Sequence, residues 1–475
     1  MLCSLVRQNL HLYIIKNTII LILFDLIIKN DIIILSLAKR CFQLKRKITD
    51  KLIAWKNKPD RRMPLLLYGA RQVGKTHILL EFGEQHYKNV AYINLETNLT
   101  VSSYFSENIE PERIIRFLET EVQQRIIPGD TLIIFDEVQT CERALTSLKY
   151  FNENAPEYHI ACAGSLLGVA INREKYSFPV GNVYTQTLFP LDFEEFLWAL
   201  GEEQLCGEIR QSFSADSALP DALHHKALDY YRIYLITGGM PRVVLEYKRT
   251  GSLLTVPGVQ HNIINDYIAD MAKYASNTES VKIRAAYNSI PVQLAKENKK
   301  FQYKLAQKGG TATIFGAAID WLGFAGVVLK CVRIEQGFMP ISVYSDLSAF
   351  KLYMGDVGLL TMKSGISQQT VLASGETENI FLGAISENYV AQALWASRYD
   401  LYYWTSGGIA ELDFVLQKDD KIIPIEVKTG TRTKSRSLNL FSEKYKPDYA
   451  IRISSKNFGF ANNIKSVPLY AVFCI

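Results

Sequence analysis

Two groups of residues in this chain have the types and spacing to do chemistry. The first lies in Leu65–Leu80, LLLYGARQVGKTHILL, where a short apolar run leads into Gly69-Ala70-Arg71-Gln72-Val73-Gly74-Lys75-Thr76. This is G-x-x-x-x-G-K-T. The glycines let the backbone fold into a loop whose N–H groups point inward at phosphate oxygens, and the helix that starts there adds its positive end. Lys75 supplies a point charge for β- and γ-phosphates, and Thr76 a hydroxyl for Mg²⁺. The expected nucleotide contacts are Gly69, Ala70, Arg71, Gln72, Val73, Gly74, Lys75, Thr76 and His77. The alternative is a chance glycine-rich turn, which a strand before and a helix after argue against.

Farther along, Thr131-Leu132-Ile133-Ile134-Phe135 runs into Asp136-Glu137. An apolar strand ending in two carboxylates delivers Asp136 to the Mg²⁺ shell, beside Thr76, and Glu137 to a water that attacks the γ-phosphate. Alone the pattern reads equally as a strand ending in a solvated turn; downstream of such a loop it gains weight. A further strand, His159–Ala163, ends in Gly164-Ser165. Ser165 suits a polar sensor of the γ-phosphate, or a plain Gly-Ser turn.

The second group is C-terminal. Gly383–Leu394 reads as an amphipathic helix with Glu387 near its start. Glu411-Leu412-Asp413-Phe414-Val415-Leu416, a turn at Lys418–Lys421, and Ile422–Lys428 read as a hairpin. A tight turn on Asp419-Asp420 places Lys418 opposite Lys421, Asp413 opposite Glu426 and Glu411 opposite Lys428, all on one face. Facing carboxylates repel unless a cation lies between them, and oxygen donors suit Mg²⁺ or Mn²⁺. Asp413 and Glu426 are the expected metal ligands, with Asp413, Glu426 and Lys428 catalytic and Lys428 positioning a water or stabilising charge on a phosphate. The alternatives are surface cross-strand pairs, worth little, or an idle site used for binding.

Strands alternating with helices imply an α/β parallel, doubly wound sheet carrying the nucleotide beyond its strand ends. A basic amphipathic segment, Lys45–Trp55, precedes the first strand. Leu200–Pro220 reads as loop or short helices, and Leu228–Tyr247 as helix interrupted at Thr237–Pro241, where Gly-Gly-Met-Pro breaks it. His261–Tyr274 reads as another helix. Helical pieces near Pro291–Glu297 and Ile314–Leu322, a Gly309-Gly310 turn and the strand Gly326–Val332 come next. Lys296, Lys299, Lys300, Lys304 and Lys308 in this region suit phosphates, or form a solvated face. The expected division is 1–43, an atypical hydrophobic extension; 44–200, the nucleotide-binding core; 201–275, a helical lid; 276–345; and 346–475.

Composition is that of a globular protein: 48% hydrophobic and 21% charged, with a net charge of +5 that permits nucleic acid without arguing for it. Seven scattered cysteines lack C-x-x-C spacing, against a disulfide framework or a zinc site and in favour of the cytoplasm. His224-His225 reads as surface. Residues 1–43 are rich in Ile, Leu, Asn and Lys, but Lys16-Asn17, Asp25 and Lys29-Asn30-Asp31 cut the apolar runs below spanning length. We read this stretch as translated A+T-rich upstream sequence rather than a weak membrane anchor, and expect no stable membrane association unless it is genuine.

GARQVGKT, IIFDEVQ, the AGSLLG strand end and LFPLDFEEFL (Leu188–Leu197) resemble a family of bacterial AAA-type ATPases with a C-terminal domain of nuclease-like pattern. Glu387, Asp413 and Glu426-Val427-Lys428 likewise resemble the PD-(D/E)XK nuclease pattern, which implies Glu387 as a metal ligand beside Asp413 and Glu426. The resemblance runs from Lys45 to the C-terminus. It implies roles for Gly74, Lys75, Thr76, Asp136 and Glu137 with ATP and Mg²⁺, Ser165 as sensor, a helical lid, a winged-helix-like middle and a C-terminal α/β PD-(D/E)XK-like domain. One departure is Gly181-Asn182, where relatives often carry a basic residue after the glycine. No arginine finger is assigned; Arg143 and Arg173 are nearby candidates. The expected function is ATP binding or hydrolysis coupled to a metal-dependent nuclease-like domain acting on DNA. The alternative is a non-catalytic, ATP-dependent switch that binds protein or nucleic acid. A homo-oligomer is left open.

Overall fold

The structure, a computed structural model, describes residues 44–59, 62–165, 179–273, 275–373, 380–407, 410–430 and 436–475. Its helices and strands belong to the compact unit Arg46–Ile475. The extension 1–43 and Arg173 lie outside the described residues.

The N-terminal part runs α1 (Ile48–Lys56), β1 (Leu65–Tyr68), α2 (Lys75–His86), β2 (Asn89–Asn94), α3 (Leu99–Glu107), α4 (Pro111–Val122), β3 (Thr131–Asp136), α5 (Glu142–Asn154), β4 (His159–Ala163) and β5 (Tyr184–Thr187). The five strands form one parallel sheet in the order β2-β3-β4-β1-β5. The central strands β1, β3 and β4 are buried along their whole length, as expected where helices cover both faces. Phe105, Leu118, Leu148 and Phe151 from α3, α4 and α5 pack on Leu66, Ile133 and Phe135. Because β4 lies between β1 and β3, the glycine loop, Ser165 and Asp136 emerge side by side at one edge of the sheet.

Next come α6 (Phe193–Ala199), α7 (Glu203–Ala215), α8 (Asp221–Thr237), α9 (Pro241–Thr250) and α10 (Val256–Lys273). Helix α7 corrects the expectation of an irregular 200–220: Leu205, Cys206, Ile209 and Ser212 repeat at helical spacing and are buried. The acidic run after Leu191 is structural. Asp192 caps α6 in a capping box with Glu195, Glu194 binds Arg210 through two bonds of 2.6 Å, and Glu195 lies 3.3 Å from Arg46. His224 corrects the surface reading. It is buried, with Nδ1 2.8 Å from the Tyr470 hydroxyl, while His225 is exposed.

The remainder is α11 (Asn277–Leu294), α12 (Tyr303–Ala306), α13 (Ala312–Phe324), β6 (Val328–Ile334), β7 (Ser345–Met354), α14 (Val357–Ser364), α15 (Gln368–Leu372) and α16 (Ile380–Ala396). After these come β8 (Tyr402–Thr405), β9 (Glu411–Leu412), β10 (Phe414–Lys418), β11 (Lys421–Val427), α17 (Arg436–Tyr445), β12 (Ala450–Ser454), β13 (Gly459–Ala461) and β14 (Ile464–Pro468). The strands form two sheets, β7-β6-β8-β9 and β10-β11-β12-β14-β13. The hairpin β6–β7 comes after three helices but does not project as a free wing. Its other edge pairs in parallel with β8, so the expected division at residue 345 runs through one continuous sheet.

Helix α16 is not amphipathic. Ala384, Ile385, Ser386, Glu387, Asn388, Tyr389, Val390 and Ala391 are all buried, which makes it a central core helix with Glu387 in its middle. Its polar side chains serve neighbouring backbone: Asn388 accepts from Met354 N (2.7 Å) and donates to Met354 O (3.0 Å), and Gln392 accepts from Val357 N (2.8 Å). Among the described residues no helix is long and apolar enough to cross a membrane.

Candidate functional site: a phosphate loop and a lysine-filled acidic centre

Two glycines shape the loop after β1. Gly69 has φ 152°, and a Cβ there would fall 2.2 Å from the Leu188 carbonyl oxygen. Gly74 has φ 93° and begins α2. The Lys75 ammonium is folded into the loop, donating to Gly69 O (2.9 Å) and Ala70 O (3.0 Å). Burial pulls its pKa down to about 8 against the opposing pull of Glu137 and Asp136. The positive-φ turn and the half-buried ammonium held inside it fit a triphosphate. Arg46, from the basic segment before β1, braces the loop from behind through Val73 O (3.2 Å) and Phe189 O (2.6 Å).

Thr76 Oγ1 donates to Asp136 Oδ2 at 2.9 Å, and the Tyr92 hydroxyl donates to the same oxygen at 2.9 Å. The hydroxyl and carboxylate expected to hold Mg²⁺ are therefore already together. Glu137 stands at the turn after β3 with φ 51°. Its Oε2 accepts from Gln139 Nε2, and Gln139 Oε1 accepts from Ser165 N at 3.2 Å. Gln139 thus links the expected water-activating carboxylate to the expected sensor. Sequence reasoning misses it, although its place two residues after Glu137 is an available signal. His77 is exposed on α2, 3.5 Å from Glu81. Asn182 Oδ1 accepts from Asn152 at 2.7 Å, and Arg143 Nε donates to Phe105 O at 3.2 Å.

A small cleft of about 30 Å³ opens beside the loop, lined by Arg71, Ser165, Tyr267, Asp270, Trp321 and Val327 among others. Its acidic wall comes from α10. Arg71 Nη1 pairs with Asp270, Gln72 Nε2 donates to Asp266 Oδ2 at 2.6 Å, and the Tyr267 hydroxyl donates to Arg71 O at 3.2 Å.

At the other end of the chain the expected hairpin register holds from Lys418↔Lys421 to Phe414↔Ile425. There it stops. Asp413 leaves the ladder and its Oδ2 accepts from Val427 N at 2.8 Å. Glu411 does not reach the place opposite Lys428; it lies in β9 opposite Thr405 of β8. The bond from Val427 N to Asp413 ends the ladder, and Glu411 instead meets Lys351 of β7, fully buried, whose Nζ lies 2.7 Å from Glu411 Oε1 and 2.9 Å from Glu387 Oε1.

Glu387 also accepts from Lys299 and from the Tyr353 hydroxyl. Burial alone would raise its pKa, but Lys351 and Lys299 outweigh that and hold it low. Asp413 is pushed up by burial and by the charges of Glu387 and Glu426. Lys428 Nζ lies 2.5 Å from Glu426 Oε1, while Glu426 Oε2 is buried without a hydrogen-bond partner among the described residues. The expected residues Glu387, Asp413, Glu426 and Lys428 are therefore close enough to perturb one another. Two lysines absent from that expectation, Lys299 and Lys351, stand among them. Among the described residues no group of three or more His, Cys, Asp or Glu side chains is placed to hold a metal ion. As arranged, this centre fits neutralisation by lysine.

A family model described as an AAA domain matches residues 61–197, and two domains of unknown function, DUF8612 and DUF4143, match 228–370 and 382–472. An uncharacterized protein of Methanocaldococcus jannaschii, MJ1544, is 25% identical over 225 residues, which is 47% of this chain and 44% of that protein. The chain thus matches less than half the length of that curated relative. Among solved structures, the Walker-type ATPase paby2304 of Pyrococcus abyssi aligns with a TM-score of 0.42 at 15% identity, over 68% of this chain and 96% of that one. The RuvB Holliday junction branch migration motor of Thermotoga maritima aligns with a TM-score of 0.29 at 12% identity, over 60% and 89%. With the loop, the Thr76–Asp136 contact and the parallel sheet already in place, the family match identifies residues 61–197 as a P-loop ATPase domain of the AAA type.

Proposed function

We propose that the chain is an ATP-dependent switch. An AAA-type ATPase domain binds and hydrolyses ATP, and its nucleotide state is passed through a helical lid and the β7-β6-β8-β9 sheet to a PD-(D/E)XK-like C-terminal domain that holds protein or nucleic acid without cutting it. The loop amides and Lys75 hold the β- and γ-phosphates. Thr76 and Asp136 hold Mg²⁺, which when bound supplies positive charge to the phosphate oxygens. Glu137, oriented by Gln139, takes the proton of the attacking water, and Ser165 faces the γ-phosphate. The single observation that carries the ATPase reading is the meeting of Thr76 and Asp136 beside the Lys75 loop. The switch reading is supported by the saturation of Glu387 by Lys351, Lys299 and Tyr353.

A second reading keeps the C-terminal domain as a metal-dependent nuclease on DNA, with Glu387, Asp413 and Glu426 as ligands and Lys428 at the phosphate. The unpartnered, buried Glu426 Oε2 favours it. Plasmid nicking in Mg²⁺ or Mn²⁺, with and without ATP, separates the two. The switch predicts ATP turnover without nicking; nicking that Asp413→Ala removes supports the nuclease and overturns the switch.

A further inference from the structure

Arg71 occupies the third position of the phosphate loop, yet its guanidinium is turned outward to Asp270 of α10. The contact is one of a set. Asp266, Tyr267 and Asp270 share one face of that helix, and all three reach the loop: Asp266 at the Gln72 amide, Tyr267 at the Arg71 carbonyl, Asp270 at the Arg71 side chain.

The pair also looks inward. Arg71 and Asp270 both act electrostatically on the Lys75 ammonium, and Asp270 feels the charge of Glu137. A buried carboxylate paired with Arg71 therefore lies within electrostatic reach of the loop's Lys75 ammonium, where a polyanion would arrive. Added negative charge at that position repels Asp270 and attracts Arg71. Asp270 is already a strained partner: burial raises its pKa to about 6 in spite of Arg71.

We propose that Arg71 senses the γ-phosphate and that Asp270 is its nucleotide-free substitute, so that ATP but not ADP draws Arg71 into the loop and releases α10. The inference rests on the reading of the loop as an ATP site and adds a mechanism for telling ATP from ADP. The release has somewhere to go. Gly326, at the turn before β6, approaches so closely that a Cβ there would lie 3.3 Å from Ala70 N, and Trp321 and Val327 line the same cleft as Asp270. From β6 the sheet continues into β7, which carries Lys351.

The test is the affinity of the full chain for fluorescent ATP and ADP analogues, with amide hydrogen exchange over 256–273 as a second readout. Arg71→Ala is expected to weaken ATP by about tenfold and ADP by less than about twofold. Asp270→Asn is expected to tighten ATP by a similar factor, and the double variant to behave as Arg71→Ala. Exchange in α10 is expected to rise with the ATP analogue and not with ADP in the wild type, and to be raised without nucleotide in Asp270→Asn. Equal weakening of ATP and ADP in Arg71→Ala, or an unchanged ATP-to-ADP ratio in Asp270→Asn, would overturn the proposal. Failure of the wild type to bind either nucleotide would instead overturn the reading of the loop. Arg71→Lys, which keeps the charge and loses the fork, guards against a folding defect: partial ATP preference is expected, and none at all in a folded protein would count against charge sensing.

Discussion

The Thr76 hydroxyl donates to the Asp136 carboxylate across 2.9 Å, although sixty residues separate them in the chain. The contact exists because β4 is threaded between β1 and β3, bringing their carboxyl ends to one edge. It also predicts a division of labour. Asp136→Asn keeps an acceptor oxygen for Thr76 and Tyr92, gives up the bond from Glu137 N and loses the charge. It is expected to retain nucleotide binding without Mg²⁺ and to lose the affinity that Mg²⁺ adds, read by titrating nucleotide in EDTA and in Mg²⁺. An unchanged Mg²⁺ effect would contradict the assignment.

Glu137 and Gln139 should separate in kinetics. Glu137→Gln is expected to bind ATP normally and hydrolyse it about 10²- to 10³-fold more slowly. Gln139→Ala leaves the carboxylate in place but unoriented, so about a tenfold loss in kcat with KM unchanged is expected. A Gln139 variant that lowers affinity without touching kcat would make that residue structural only.

Lys351 is buried against Glu387 and Glu411. Lys351→Met takes a buried cation from between Glu387, which keeps Lys299 and Tyr353, and the partly exposed Glu411, and is expected to destabilise the fold by about 2–4 kcal/mol in urea unfolding. Glu387→Leu in the same background should recover a large part of the loss. Stability equal to wild type in Lys351→Met would show that the lysine does not neutralise the centre.

His159 gives the pH dependence a sign. Burial first, then Arg62 and Lys56, lower its pKa from 6.5 to about 4, and its Nδ1 lies 2.9 Å from the Tyr87 hydroxyl. Between these values the unfolded chain binds a proton that the folded chain refuses. Stability from this residue is therefore full above pH 6.5 and declines as pH falls toward 4. Denaturant midpoints at pH 7 and 5 should differ less in His159→Gln than in the wild type. An identical pH dependence in the variant would remove His159 as the cause.

Legibility in the sequence tracks locality. The phosphate loop, the Thr131–Glu137 strand end and the Lys418–Lys421 turn are set by contiguous residues, and the observed elements lie where those patterns point. The hidden features depend on partners distant in the chain. Nothing in the spacing of Lys299 or Lys351 tells that they meet Glu387, 88 and 36 residues away. Asp270 meets Arg71 across 199 residues, through a helix whose own residues name no partner. The expected place of Glu411 fails because alternation along a strand assumes an unbroken ladder, and the bond from Val427 N to Asp413 ends it. His224 reads as surface in the sequence because its cover, Tyr470, lies 246 residues on.

The central claim is that the Gly69–Thr76 loop binds ATP through the half-buried Lys75 ammonium. Isothermal titration of ATP with Mg²⁺ into the wild type and into folded Lys75→Ala tests it most directly. Saturable one-site binding in the wild type, weakened by at least about 100-fold in the variant, is the predicted result; it corresponds to about 2.7 kcal/mol. Equal affinity in the two proteins would contradict the account.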